Sequence, residues 1–510
     1  MTIAADPLTP SRAGGRANLA QRLAASPVAA FVLVYGAALA WTFVLRLPLW
    51  HMDGLDDAFY VEVAHLWSQG HLPYAAAFDV KPPGLFAILA VVQHLLGPSI
   101  DSLRAVAVVF DALAATGLFF LGRRFGAPAV GAFAAILYPM LSELVTSNDA
   151  YCPLGAFTVA AFLAALSRFD LVKRAALSGL LIGAAGVVKQ TAAFEAIALL
   201  SILVGAPSSA GRRAAVAAAF LAGAAIAPLG FALDFAAHGA LGPLIDDAIL
   251  GALIRPASAA EGLTLLAGAS RAVVLQKSVV VLFGLACVAL LRRRALREAL
   301  GDVPLGALEV WFALAMLSIL AQRAIAITYL GPTIAPGLLL AGLCLTRAAP
   351  ELRRIPEAAR LAALAVASAA IALAVPGNDI SRRQETAALA SAATAIRDSR
   401  PREGDTLYVV NRGDWLYSAV DLPPATRYFY PGHTLCDFFA AKGPALLAGI
   451  LATEPRYVVV ADRRIHYACE QKNRWPVVDA ALQRSYRRIA HAAGHSDFYD
   501  VYELAGAAER

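Results

Sequence analysis

Apolar runs of about 20 residues, separated by short arginine clusters, recur along most of this 510-residue chain, and that alternation decides its fold class. A helix needs about 20 apolar residues to cross the hydrocarbon core of a bilayer. On that ruler, spans fall near residues 29–48, 101–121, 127–143, 150–167, 175–188, 190–205, 214–235, 271–291, 305–321, 329–346 and 358–376. With 59% hydrophobic and only 16% charged residues, the chain is far more apolar than a soluble protein. It reads as a membrane protein with about 11 transmembrane helices.

Positive residues near span ends are retained in the cytoplasm, so their distribution tests the threading. Arg123 and Arg124, Arg168, Lys173 and Arg174, Arg212 and Arg213, Arg292 to Arg294 with Arg297, and Arg347, Arg353, Arg354 and Arg360 fall on the side of the N-terminus. The opposite loops hold chiefly Lys81, Lys189, Arg255, Arg271 and Arg323. The net charge of +6 thus sets orientation and forms no nucleic-acid-binding face. Residues 1–28 are expected to be a cytoplasmic tail, and the run Val28 to Leu45, which ends in no small-residue cleavage site, an uncleaved anchor.

This threading requires that Pro82 to Gly97 not cross the bilayer, and its apolar run is short for a crossing. Residues 49–100 then form one long outer loop with two helices at the interface. Phe59, Val63, Leu66 and Trp67 recur at helical spacing, with Glu62, His65 and Gln69 on other faces. Beyond about residue 375, β-rich runs at 406–411, 456–461 and 498–504 alternate with helical stretches such as 382–398. The expected fold class is an all-α polytopic membrane protein, with residues 29–376 as its transmembrane domain and residues 377–510 as a small C-terminal α/β domain on the periplasmic face.

The first loop reads Asp53-Gly-Leu-Asp56-Asp57-Ala-Phe-Tyr60 and ends Phe78-Asp79-Val80-Lys81-Pro82-Pro83. A carboxylate there can take the proton of an attacking hydroxyl or amine, and a cation can stabilise a departing lipid phosphate. A residue before proline is held extended, and proline suits the first turn of the next helix, so Lys81 stands at a defined place. Acids in a first helical turn are also favoured by capping and the helix dipole, and a lysine at the interface can simply snorkel. The spacing leaves both readings open.

Asp-Asp-x-x-Tyr followed by Phe-Asp-x-Lys-Pro-Pro and an apolar helix resembles the signature of the GT-C glycosyltransferases related to the lipid A aminoarabinose transferase, the protein O-mannosyltransferases and the rhizobial galacturonosyltransferases. The family's pair is usually Asp-Glu, so Asp57 departs from it by one methylene, while Asp56 matches its catalytic aspartate. Thr146-Ser-Asn148-Asp149 resembles the site of a second functional acid. Gly179-x-x-x-Gly183 ending in Lys189-Gln190 resembles a Gly-rich helix ending in lysine. Arg323 to Tyr329 with Pro332 resembles a late outer loop, although a His often found there is Thr328. Leu407-Tyr408 and Pro424 to Tyr428 look like the soluble domain of bacterial members.

The resemblance implies Asp56, Asp57 and Asp149 as catalytic residues and Tyr60, Lys81, Lys189, Arg323 and Tyr329 as contacts to the donor phosphate. Its implied activity is inverting transfer of a sugar from a polyprenyl-phosphate carrier to an envelope glycan, lipid A or protein acceptor, at the bacterial inner membrane. No resident cofactor follows from it, and a divalent cation is left open at Asp149. A lipid-linked sugar flippase is the competing class; it predicts functional charges near the midplane and two related halves, whereas the acidic and basic candidates of the loops gather at the outer ends of helices and no paired halves are visible.

Asp111 and Glu195 lie within spans, where an ionisable residue is costly and functional by default. The acids and base at Asp246, Asp247, Arg255 and Glu261 sit in an outer loop. Cys436 and Cys469 are a disulfide candidate in an oxidising compartment; with His466 they lack zinc-ligand spacing.

Overall fold

The computed structural model describes residues 26–47, 56–145, 150–254, 305–321, 327–348, 379–430, 443–461, 475–494 and 498–506, with a few single positions between them. The N-terminal tail, the expected span at 271–291 and nearly all of the one at 358–376 lie outside the described residues. The longer described helices, in chain order, are α1 (Pro27–Arg46), α2 (Asp57–Ser68), α3 (Gly84–Leu96), α4 (Ile100–Arg124), α5 (Pro128–Val145), α6 (Tyr151–Ala165), α7 (Leu171–Val188), α8 (Ala192–Val204), α9 (Ala210–Ala237), α10 (Leu305–Ala321), α11 (Gly331–Leu343), α12 (Asp379–Asp398), α13 (Trp415–Val420), α14 (Gly443–Ala452) and α15 (Trp475–Ser485). By length and composition, α1, α4, α7 and α9 can cross a membrane, while α5, α6, α8, α10 and α11 are shorter apolar helices. The all-α membrane bundle expected from the hydropathy pattern is present, and the chain is a multi-pass membrane protein.

Sequence signals set the helix ends. Ser26 caps α1 by accepting a hydrogen bond from the Ala29 amide, with a proline in the first turn. Asp170 does the same for α7 through the Val172 amide at 2.9 Å. Helices α7 and α9 pack backbone against backbone. A Cβ on Gly179 would stand 2.1 Å from the Phe220 carbonyl oxygen, and one on Gly183 would stand 2.3 Å from that of Ala224. Small residues four apart let the two backbones touch, the usual basis of helix association in lipid. The glycines of α7 are therefore packing residues, and their effect on chemistry is to fix where α7 ends, at Lys189.

Helices α2 and α3 lie between α1 and α4 in the chain. The 13 residues of α3 span roughly 20 Å, short of a hydrocarbon core. However, α2 differs from the interfacial helix expected from its apolar stripe. Every residue from Phe59 to Ala64 is at most 1% exposed, Glu62 included. One side packs on α3 and α4 and the other is covered by α13 of the C-terminal unit, so its polar face meets protein instead of headgroups.

The C-terminal unit is a four-stranded sheet in the order β1-β2-β4-β3, from β1 (Leu407–Val409), β2 (Tyr457–Ala461), β3 (Tyr486–Ala493) and β4 (Phe498–Leu504). β1 pairs parallel with β2, and the other two pairings are antiparallel. All five residues of β2 are buried, as a strand covered on both faces requires. β3 was not foreseen, because as an edge strand it carries Arg487, Arg488 and His491 and lacks clean alternation.

Candidate active site

Asp56 occupies the position preceding α2, yet its side chain makes no capping hydrogen bond. The carboxylate instead accepts from the Tyr60 hydroxyl at 3.0 Å and from the Tyr430 hydroxyl. Lys81 Nζ stands 4.0 Å from Asp56 Oδ2 and 3.6 Å from Asp79 Oδ1, 4.8 Å from the centre of the Tyr60 ring. Asp79 is itself held by the amides of Val80 and Lys81, and the Tyr74 hydroxyl donates to the Lys81 carbonyl at 2.6 Å. The loop that carries Lys81 is thus braced from both sides of the chain.

Asp57 faces a different environment. It is fully buried, and Arg104 of α4 donates to its carboxylate at 2.8 Å. One residue of helical rotation sends the two acids in different directions: Asp56 to the tyrosines and lysine, Asp57 into the helix bundle.

Lys189 follows α7 in extended conformation, with φ −155° and ψ 130°. Its ammonium lies 4.4 Å from the Tyr151 ring centre and 5.4 Å from that of Tyr329, and the residue is 8% exposed. It does not reach out to an interface; two aromatic faces hold it, an attraction that strengthens when water is excluded. The next residue, Gln190, donates to the carbonyls of Val80, at 2.6 Å, and Ala248, at 2.9 Å. At Gly84 an added Cβ would come within 2.5 Å of the Val187 carbonyl oxygen, so the head of α3 abuts the end of α7. These contacts draw Lys81 and Lys189, more than a hundred positions apart in sequence, to neighbouring stretches of backbone.

The C-terminal unit closes over this region. Arg427 donates to Asp247 and to the Tyr74 carbonyl, both at 2.6 Å, while the Phe78 amide donates to the Arg427 carbonyl at 2.7 Å. Phe59 stacks on Tyr430 with centroids 4.6 Å apart and meets Phe429 at 5.2 Å. Burial pushes the Asp247 carboxyl up to about 6 against the opposing pull of Arg427, with Asp246 adding to the rise. Burial likewise raises Glu62 to about 8, assisted by Asp421 and Asp414 of the C-terminal unit.

Asp111 finds its partners within the bundle: Arg46 of α1 donates at 2.7 Å and Ser142 at 3.2 Å. Glu195, in the first turn of α8, is also buried. Asp149, Arg323, Cys436 and Cys469 lie outside the described residues, and among the described residues no cluster of His, Cys, Asp or Glu is arranged to hold a metal ion. Sequence reasoning missed Tyr151 and Tyr430. The only available signal for Tyr430 was the run Tyr428-Phe429-Tyr430 directly after Arg427.

Residues 80–232 match the family model described as dolichyl-phosphate-mannose-protein mannosyltransferase. No curated protein matches the sequence. Among solved structures, ArnT from Cupriavidus metallidurans bound to undecaprenyl phosphate superimposes with a TM-score of 0.61 at 14% identity, covering 93% of this chain and 98% of that one. Its apo state gives 0.59 at 15% identity, covering 92% and 97%. The archaeal oligosaccharyltransferase AglB from Archaeoglobus fulgidus, in complex with an inhibitory peptide and a dolichol-phosphate, gives 0.50 at 12% identity, covering 84% and 69%. The chain thus has the fold of ArnT, and its residues 80–232 match the mannosyltransferase family model.

Proposed function

We propose that the protein transfers a sugar from a polyprenyl-phosphate carrier to an acceptor on the periplasmic face of a bacterial inner membrane, with inversion at the anomeric carbon. The observation that carries this is the Asp56 carboxylate, released from capping and set 4.0 Å from Lys81. A base and a cation at this separation can serve an acceptor proton and a phosphate leaving group.

In the reaction, an acceptor hydroxyl or amine forms a bond to the anomeric carbon and gives its proton to Asp56. The bond from that carbon to the phosphate oxygen breaks, its electron pair leaves with the carrier phosphate, and cations stabilise the charge that develops there. Lys81 and Lys189 supply those cations, and Tyr60 and Tyr430 hold the Asp56 carboxylate in place. Asp57, bound to Arg104, acts as a positioning residue that locks the head of α2. Asp149 and Arg323 complete the site as acceptor-orienting and phosphate-binding residues, in keeping with the family resemblance. The distribution of Lys and Arg supports the orientation, with residues 377–510 outside.

Asp56→Asn should abolish transfer in a membrane assay with a labelled polyprenyl-phosphate sugar while leaving protein abundance intact. Unchanged activity in that variant would sink the assignment.

A further inference from the structure

Next to the Tyr151 ring that carries Lys189, helices α6, α8, α10 and α11 border a space of about 10 Å³, the room for one water molecule. Its walls include Tyr151, Thr158, Glu195 and Trp311, which are 1–4% exposed. The hydroxyls of Tyr151 and Thr158, both carboxyl oxygens of Glu195 and the indole nitrogen of Trp311 are buried and have no hydrogen-bond partner among the described residues. Buried polar atoms are bonded to something as a rule. Five of them, on three helices around one small space, point to a shared partner.

The chemistry of these atoms selects that partner. An indole N–H only donates, a carboxylate oxygen accepts, and a hydroxyl does either, so the partner must both accept and donate. Water does both and needs roughly two to four polar contacts. A metal cation cannot accept from Trp311, and nothing larger than a water fits the space. Local structure holds the walls in place. Trp311 stacks on Phe162 with centroids 3.8 Å apart, and Tyr151 and Thr158, seven residues apart on α6, share a face.

We propose that one ordered water occupies this space and that Glu195, through it, positions Lys189; the role toward Lys189 rests on the transferase function proposed above. The Tyr151 side chain connects the two. It lines the space, and the Lys189 ammonium lies 4.4 Å from its ring centre. At Gly331 an added Cβ would come within 2.8 Å of the same ring, and Tyr329, two residues earlier, has its ring centre 5.4 Å from the ammonium. A water bonded to both Glu195 and the Tyr151 hydroxyl fixes the orientation of the ring, and the ring fixes where the ammonium meets the carrier phosphate. Glu195 is thus a positioning residue that acts on the phosphate site without touching it.

The test is titration of the full chain in nanodiscs with undecaprenyl phosphate. Glu195→Leu should weaken binding about fivefold, the loss of one hydrogen-bonded tie. Glu195→Gln, which still bonds a water, should stay within about twofold of the natural chain. In a Lys189→Met background Glu195→Leu should change nothing further, because its effect runs through that ammonium. Binding by Glu195→Leu equal to that of the natural chain, an equal loss in Glu195→Gln, or an additive loss with Lys189→Met overturns the role of Glu195 and leaves the transferase function standing. If the natural chain does not bind undecaprenyl phosphate, the donor assignment of the previous section falls and takes this role with it. The water has its own test. Thr158→Val keeps the shape of the side chain and removes its hydroxyl, so it should lower the thermal midpoint by about 2 °C through a lost hydrogen bond. A midpoint that stays or rises, as it does when an unsatisfied buried group is deleted, overturns the hydration site. Should Glu195→Leu fail to fold, Tyr151→Phe is read by the same comparison, with the same losses expected.

Discussion

The hydroxyl of Tyr430, in the C-terminal unit, donates a hydrogen bond to the carboxylate of Asp56 at the head of α2, across 374 positions of sequence. Because Tyr60 donates to the other oxygen, the two phenols hold the carboxylate in one orientation. Tyr430→Phe keeps the ring that stacks on Phe59 and removes only the donor. A drop of about tenfold in kcat with little change in donor KM is the expected result, the pattern of a lost orienting contact. Steady-state kinetics in detergent would check it.

Lys189 is held between Tyr151 and Tyr329. Lys189→Met keeps the length and apolar body of the side chain and removes its charge. Donor KM should rise by about tenfold or more, since a phosphate contact to a cation in a low-dielectric site is a strong one. Lys189→Arg should restore only part of the loss, because a planar fork does not replace a compact ammonium between two rings. A titration with undecaprenyl phosphate reads this out directly.

Breaking the tie between Arg427 and Asp247 should loosen the C-terminal unit. Arg427→Ala leaves a largely buried carboxylate without its guanidinium and deletes the contact to the Tyr74 carbonyl. The pair is partly exposed on the arginine side, so a cost of about 1–3 kcal/mol falls between surface and buried values. Limited proteolysis should release a fragment containing residues 379–506 faster from this variant than from the natural chain.

Glu62 makes stability depend on pH. Its carboxyl is raised from 4.5 to about 8 by burial, then by Asp421 and Asp414, so the folded chain holds this proton more tightly than the unfolded one. Stability from this group is therefore complete below about pH 4.5, declines as pH rises, and is gone above about pH 8. Glu62→Gln should flatten that limb, raising the thermal midpoint at pH 9 and leaving it nearly unchanged at pH 4. A difference of up to a few kcal/mol is expected at the alkaline end, followed by thermal unfolding across pH.

A larger residue at Gly183 should separate α7 from α9. A Cβ there would meet the Ala224 backbone 2.3 Å away, and backbone cannot give way as a side chain can. Gly183→Val should cost about 1–3 kcal/mol and also weaken donor binding, since the shift moves the end of α7 that carries Lys189. Gly186, with nothing within 4 Å of an added Cβ, is the control position on the same helix.

Much of the architecture was legible in local signals. Hydropathy runs marked the apolar helices of the bundle, the short run after Pro83 marked the 13-residue α3, and the β-rich runs located three of the four strands. Asp56, Lys81 and Tyr60 could be grouped because they share one loop. Partner choice was not legible at that level. The sequence could not tell that Asp56 declines to cap its helix and binds Tyr430, or that Asp57 turns to Arg104, 47 residues away. It also could not show that Asp111 is neutralised by Arg46, or that the Gly179 and Gly183 pair is a packing seam.

The physical reason is the range of the forces. Burial preference, helix periodicity and hydropathy act residue by residue along the chain, so the sequence alone determined a membrane bundle and the loop that carries Asp56, Tyr60 and Lys81. Ion pairs, hydrogen bonds and ring contacts need atoms within a few ångströms. Which groups come that close depends on how whole helices and the C-terminal sheet pack together, and only the tertiary structure decided that.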